Sequence, residues 1–396
     1  MAGYPKVILK KGKDEAVKRF HPWIFSGAID EIREPYQEGD IVEVFSAGGE
    51  YLATGYLLSG SIAIKLITFS RQEIGKAFWR SKIEHSFRLR SDLGLTRSDL
   101  TNAYRLVHNE GDGMPGLIID VYGDMAVLQA HSVGMYQLRE LFSEVLLEVF
   151  GDNLEAVYDK SSESLRKMTG FRVEDGFLAG NGNEVEVSEN GHTFIIDPVT
   201  GQKTGFFLDQ RENRQLITRY AQGKRVLNMF GYTGGFSVYA AKAGAELVHT
   251  VDSSAPAIAI AERNMALNAV TPGLHTGIVA DARNFLVSMD EGVYDLIILD
   301  PPAFARSVDS RKQAINGYRA INALAMKKIK PGGILFTFSC SQVVDRQMFT
   351  SAITSAAIDS RRKVQILHQL SQPPDHPINI FHQEGEYLKG LVLRVE

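Results

Sequence analysis

A single thiol, Cys340, ends the run Phe336-Thr337-Phe338-Ser339-Cys340-Ser341, whose bulky alternation reads as a strand leaving a sheet. A thiolate at such an exit can add to carbon 6 of a pyrimidine and make carbon 5 nucleophilic, which cytosine requires because its carbon 5 is otherwise unreactive. The competing use of a lone cysteine is as a small, inert core residue. Leu299-Asp300-Pro301-Pro302-Ala303-Phe304 ends another apolar strand. Its two prolines hold an extended loop rigid and donate no backbone hydrogen bond, which leaves the Pro301 carbonyl free. Pro301, Pro302 and Phe304 could then grip a flat base while Asp300 meets a ring nitrogen; the alternative is a strand stop whose aspartate is a local cap.

A third signal is Val226-Leu227-Asn228-Met229-Phe230-Gly231-Tyr232-Thr233-Gly234-Gly235-Phe236, a strand running through a Gly-rich turn into a helix. Glycines let a backbone approach a ligand, and Asp252, ending the next strand, is placed to accept from a ribose diol. The spacing fits an adenosine cofactor, and the absence of the G-x-G-x-x-G order favours S-adenosylmethionine over a nicotinamide dinucleotide. A plain strand-to-helix turn is the alternative. Asp281-Ala282 follows the third strand of the series, where the carboxylate reads either as an acceptor from an adenine amino group or as a helix cap. Seven Lys or Arg from Arg306 to Lys330, against the one acid Asp309, read as phosphate contacts or as a solvated helix face.

Positioning these groups requires a sheet, and the chain after Asp209 has the rhythm of one. Strands are predicted at Arg225–Phe230, Leu247–Val251, His275–Val279, Tyr294–Leu299 and Gly333–Phe338, with helices between them, one near Gln313–Lys328. Continuously apolar strands such as Leu296–Leu299 imply a parallel sheet covered on both faces. Val364–Leu367 and Tyr387–Arg394 add two more strands, making a mostly parallel seven-stranded α/β sheet of Rossmann-like, doubly wound type over residues 184–396. Residues 1–72 alternate short β-rich runs (Val7–Leu9, Ile41–Phe45, Tyr51–Leu58, Ile62–Phe69) with turns and read as a small β-barrel. An amphipathic helix over Arg71–Arg90 leads into a central α+β domain, residues 73–183, with a helix predicted over Met135–Phe150 and hairpin signals at Gly180–Asn183.

The 396-residue length and 44% hydrophobic content fit two to three domains of about 150 residues. With 43 Lys+Arg against 47 Asp+Glu, any nucleic-acid contact must be a local patch. One cysteine excludes an internal disulfide and fits the cytoplasm. Residues 1–20 are charged throughout and lack the apolar core of a secretory signal, and the apolar stretch around Val293–Ala305 is too short to span a membrane. No metal-ligand spacing, G-x-S-x-G elbow or phosphate-binding P-loop is present, so a metal centre, a hydrolase and a nucleoside triphosphatase have no support.

Over nearly its whole length the sequence resembles the PUA-domain-containing ribosomal RNA large-subunit cytosine-5 methyltransferases. The resemblance is carried by His21–Gly27, by Glu110–Leu117 (with Met114 where the family commonly has leucine) and by Lys203-Thr204-Gly205-Phe206-Phe207-Leu208-Asp209-Gln210-Arg211. It implies a PUA-like RNA-binding barrel and a class I methyltransferase domain acting on large-subunit ribosomal RNA, with a homodimer as a family-level expectation. It further implies S-adenosylmethionine contacts from Phe207, Gln210, Arg211, the turn Asn228–Gly235, Asp252, Asp281 with Ala282, and Asp300. Cys340 falls on the family nucleophile. Ala303 stands where two-cysteine RNA cytosine-5 methyltransferases carry a second thiol, which leaves the proton-removing base unidentified. A purine-nitrogen methyltransferase and a non-catalytic RNA-binding assembly factor are the rival readings.

Overall fold

In strand β14, Arg225–Met229, Leu227 and Met229 point to one face of a sheet and Asn228 to the other, as a period of two requires. A computed structural model describes residues 3–96, 98–165, 173–305 and 307–396 and shows how the remaining strands flank this one. Seven strands run in the order β16 (His275–Val279), β15 (Leu247–Asp252), β14, β17 (Leu296–Leu299), β18 (Gly333–Ser339), β20 (Lys389–Val395), β19 (Val364–Leu370). The pairs β16–β15–β14–β17–β18 are parallel, and β20 is antiparallel to both its neighbours. The strand order reverses between β14 and β17, and in such sheets ligands sit at the carboxyl ends of the strands around that point.

Every side chain of β17 is fully buried, and each contributes roughly 2 kcal/mol of burial free energy. Leu227, Met229, Ile297, Leu299 and Leu335 share one core with residues of the helices Ala282–Ser288, Arg311–Lys328 and Arg346–Ser360. On the other face, the Asn228 amide meets Ser237 on the helix Gly235–Lys242, which packs against the helix Arg211–Ala221.

The chain divides into two compact units: residues 1–187, 196–208 and 374–385 form one, and residues 188–195, 209–373 and 386–396 the other. In the first, β1 (Lys6–Leu9), β2 (Trp23–Phe25), β3 (Ile29–Ile32), β4 (Ile41–Phe45), β5 (Tyr51–Leu57) and β6 (Ile62–Thr68) make a six-stranded sheet ordered β2-β6-β5-β4-β1-β3. A second sheet is ordered β11-β10-β9-β8-β7, from β7 (Ala103–His108), β8 (Leu117–Tyr122), β9 (Met125–Ala130), β10 (Ala156–Asp159) and β11 (Gly176–Ala179). Buried ion pairs stitch this unit: Arg90 clamps Asp112 in a bidentate pair, and Arg105 clamps Asp120.

Three local expectations change. The predicted helix Met135–Phe150 is two helices, Val133–Gln137 and Arg139–Phe150, because Leu138 adopts φ −92°, ψ 1° between them. The hairpin expected at Gly180–Asn183 lies instead between β12 (Val185–Glu189) and β13 (His192–Ile196). Its two-residue turn is Asn190-Gly191, with φ 51° and 78°, the left-handed pair that Asn-Gly favours. The helix expected over Arg71–Arg90 runs Lys76–Asp92.

Candidate active site

The turn after β14 is held from every side. Phe230 and Tyr232 both take positive φ, 57° and 45°, a conformation unfavourable for residues with a Cβ, so their surroundings must impose it. Gly231 N donates to Val251 O at 3.0 Å and Tyr232 N to Asp252 Oδ2 at 2.9 Å, while Asp252 Oδ1 accepts from Ser254 N at 2.9 Å. Asp252 therefore fixes the turn of its neighbouring strand as well as its own. The glycines are used for packing: a Cβ on Gly231 would lie 2.3 Å from Thr250 Cγ2, and one on Gly234, at φ 81°, would lie 2.9 Å from Ala261 Cβ. This close strand-to-helix fit is a reason for glycine that the sequence reading did not contain.

Beneath the turn runs a buried polar chain. Asn228 Nδ2 donates to Ser237 Oγ at 2.9 Å, Ser237 contacts Thr250 Oγ1 at 2.6 Å, Thr250 meets His275 Nε2 at 2.7 Å, and His275 Nδ1 lies 3.2 Å from Glu262. Burial lowers the His275 pKa, and the Asn228 donor sets the direction of the chain, so a neutral Nδ1–H imidazole satisfies every link. Two buried atoms at the turn, Asn228 Oδ1 and Thr233 Oγ1, have no hydrogen-bond partner among the described residues. An acceptor and a hydroxyl left open beside a preformed turn fit the ammonium, carboxylate or ribose groups of S-adenosylmethionine.

Asp281 caps the helix Ala282–Ser288, its Oδ1 accepting from Asn284 N at 2.9 Å, and Ala282 is buried beneath it. The cap expected as one alternative is thus present, and it leaves the second oxygen for other partners. Gln210 and Arg211 are buried at the start of the helix Arg211–Ala221, where Gln210 Oε1 accepts from Asn213 at 2.6 Å. Phe207 belongs to the first unit, with the Lys203 ammonium 4.6 Å above its ring.

On the other side of the reversal point, Ser341 Oγ donates to Ala305 O at 2.7 Å and ties the exit of β18 to the loop after β17. Cys340 is partly exposed and, with Ala303, Ala305, Gln342, Val343 and Tyr387, lines a cavity of about 330 Å³. In that loop Pro301 is buried, Pro302 is exposed and Asp300 is half-buried. Phe304 stacks on Tyr318 with ring centroids 4.7 Å apart and lies over Gly317, so one face of the ring is committed to the helix Arg311–Lys328. Burial pushes the Tyr318 hydroxyl up to about 12, with smaller contributions from Cys340 and Asp300 nearby.

Of the basic run, Arg319 forms a bidentate pair with Asp359, Lys328 donates to Met289 O and Lys330 pairs with Asp295. These are structural contacts of the kind the solvated-face alternative describes. Arg306 lies outside the described residues.

Sequence reasoning missed Lys389. It sits opposite Ser339 in the β18–β20 pairing, is 2% exposed, and donates from Nζ to Ser341 O and Tyr387 O, both at 2.7 Å. The available signal was a lysine opening the strand Lys389–Val395, ahead of the apolar run Leu391–Leu393. No group of three or more His, Cys, Asp or Glu among the described residues could hold a metal ion. No helix among them is long and apolar enough to cross a membrane.

A parallel sheet reversed at β14/β17, with a preformed adenosine-type turn on one side and a thiol cavity on the other, defines an S-adenosylmethionine-dependent methyltransferase domain. Residues 172–393 match the family of that description, and residues 7–69 match the PUA-like domain. Ribosomal RNA large subunit methyltransferase I of Vibrio vulnificus is 39% identical over 98% of this chain and 99% of its own, and the Aliivibrio fischeri protein of that name is 40% identical over 98% and 99%. The chain belongs to the ribosomal RNA large subunit methyltransferase I family. A Streptococcus mutans protein assigned as a SAM-dependent methyltransferase shares the fold, with TM-score 0.83 and 24% identity over 98% of this chain and 100% of its own. A methyltransferase solved complexed with SAH gives TM-score 0.84 at the same identity, over 98% of this chain and 100% of its own.

Proposed function

We propose that this enzyme methylates carbon 5 of a cytosine in large-subunit ribosomal RNA, in the cytoplasm, through a covalent adduct on Cys340. The turn Asn228–Gly235 with Gln210, Arg211, Asp252, Asp281 with Ala282, and Asp300 would hold S-adenosylmethionine, which would supply an electrophilic methyl carbon. The observation that carries the reading is the Ser341–Ala305 bond, which sets the thiol against the loop following Asp300-Pro301-Pro302. Residues 1–72 are read as the RNA-binding barrel, 73–183 as the central domain and 184–396 as the catalytic domain. Base-modifying enzymes take the target nucleotide out of its stack, and Pro301, Pro302, Phe304 and Arg306 are the residues assigned to the extruded base and its phosphate.

Cys340 Sγ bonds to carbon 6, and the π pair of the C5–C6 bond becomes available at carbon 5. Asp300, in its protonated form, donates to N3 as negative charge develops on the ring, and takes that proton back when the ring regains its aromatic character. Once carbon 5 is methylated, loss of its proton to a base returns the pair to the C5–C6 bond as the C–S bond breaks. The test is transfer of labelled methyl from S-adenosylmethionine to unmodified large-subunit ribosomal RNA, followed by digestion to nucleosides. Label in 5-methylcytosine supports the reading; label in a purine replaces it with a direct nitrogen methyltransferase, and cofactor binding without transfer replaces it with an assembly factor.

A further inference from the structure

The reaction assigned to Cys340 needs a thiolate, and a buried cation stands beside it. Lys389 is packed between β18 and β19, and two of its three N–H bonds go to the carbonyls of Ser341 and Tyr387. Ser341 is the residue after Cys340, and Tyr387 lines the same cavity as the thiol, with its hydroxyl donated to Asp209 at 2.8 Å. We propose that the Lys389 ammonium holds Cys340 as a thiolate, making Lys389 the positioning residue that activates the nucleophile. This rests on the reading of Cys340 as the nucleophile.

The charge balance favours this arrangement. A partly exposed thiol beside a buried ammonium leaves the pair with a net positive charge, so loss of one proton to water is favoured. The two carbonyl acceptors keep the remaining proton on nitrogen, so the one lost comes from Sγ, and a neutral thiolate–ammonium pair results. The other charged groups acting on Lys389 are Glu386, Arg346 and Asp345, and Cys340 and Asp300 both act on the neutral Tyr318 hydroxyl. Arg346 and Glu386 pair with each other at 2.7 Å and Asp345 caps the helix Arg346–Ser360, so much of their charge is already answered. Burial lowers Lys389 to about 8 and the Cys340 charge opposes that shift, as expected for a pair that titrates together.

With one cysteine in the chain, alkylation by iodoacetamide reads this thiol alone. In the folded wild type the alkylation rate should titrate with a midpoint clearly below the roughly 8.5 of a free thiol, and in denaturant it should return to that value. Lys389→Met should raise the folded midpoint by about one unit and slow alkylation at pH 7 about tenfold, whereas Lys389→Arg should keep the low midpoint. The acid limb of the methyl-transfer pH profile should move upward with the Met variant and stay with the Arg variant. A wild-type midpoint at or above that of the unfolded chain overturns the proposal even if the Met variant fails to fold. Failure of the methylation reading is separate: it would show as full methyl transfer by Cys340→Ala, which alkylation does not address.

Discussion

At the end of β14 the chain places two left-handed residues, Phe230 and Tyr232, on one turn and locks them with Asp252, a five-residue polar chain and two glycines packed against Thr250 and Ala261. At the ends of β17 and β18 the backbone instead passes through Pro301-Pro302, and a hydrogen bond from Ser341 to Ala305 joins the two exits. That side keeps a cavity lined by Cys340, whose charge acts on Lys389 and, together with that of Asp300, on the Tyr318 hydroxyl. Under the proposed function the difference follows from what each side would do. A cofactor held at the turn is bound unchanged in shape, so rigidity lowers the ordering cost of binding. A nucleophile at Cys340 would change charge and bonding partner during turnover, so its surroundings would supply an electrostatic balance and space for a base.

Four substitutions probe this contrast. Cys340→Ala should lower methyl transfer on the order of a thousandfold or more while cofactor affinity, measured by calorimetry, is unchanged. Equal losses of both would merge the two sides into one cooperative site. Gly231→Ala should do the reverse: the added methyl meets Thr250, costing about 1–3 kcal/mol by overpacking, and both cofactor affinity and melting temperature should fall. Asp252→Asn keeps one acceptor but turns an amide NH2 toward either the Tyr232 or the Ser254 N–H, so cofactor affinity should weaken by about 1–2 kcal/mol and melting temperature should fall as well. Arg319→Ala breaks a partly exposed pair with Asp359 and should shift stability by no more than about 1 kcal/mol, leaving the salt dependence of RNA binding unchanged. A reduced salt slope would restore the phosphate-contact reading of that helix.

The doubly wound sheet was legible because its strands are continuous apolar runs such as Leu296–Leu299 whose helices intervene at regular intervals. Strand ends follow from that periodicity, and with them the positions of Asn228, Asp252, Asp281, Asp300 and Cys340. What escaped depends on partners distant in sequence. Strand β7 hides its alternation behind Arg105, whose charge is answered by Asp120 on the neighbouring strand. Residues 374–385 join the first unit through contacts such as Asp375 O accepting from Arg90, a pairing no local pattern announces. The Asn190-Gly191 turn was a readable signal that the reading passed over. Lys389 escaped for another reason: a lysine in a strand reads as an edge or a surface position, and only the register with Ser339 reveals it as buried next to the thiol exit.

The claim that Cys340 attacks carbon 6 is tested most directly with large-subunit ribosomal RNA carrying 5-fluorocytosine. Fluorine cannot leave carbon 5 as a cation, so an adduct formed at carbon 6 persists once the methyl group has been transferred. Covalent catalysis predicts a stable protein–RNA species with wild type and S-adenosylmethionine, mapped to Cys340 by mass spectrometry and absent from Cys340→Ala. Equal methylation of ordinary RNA by wild type and Cys340→Ala, with no trapped species from either, would contradict it.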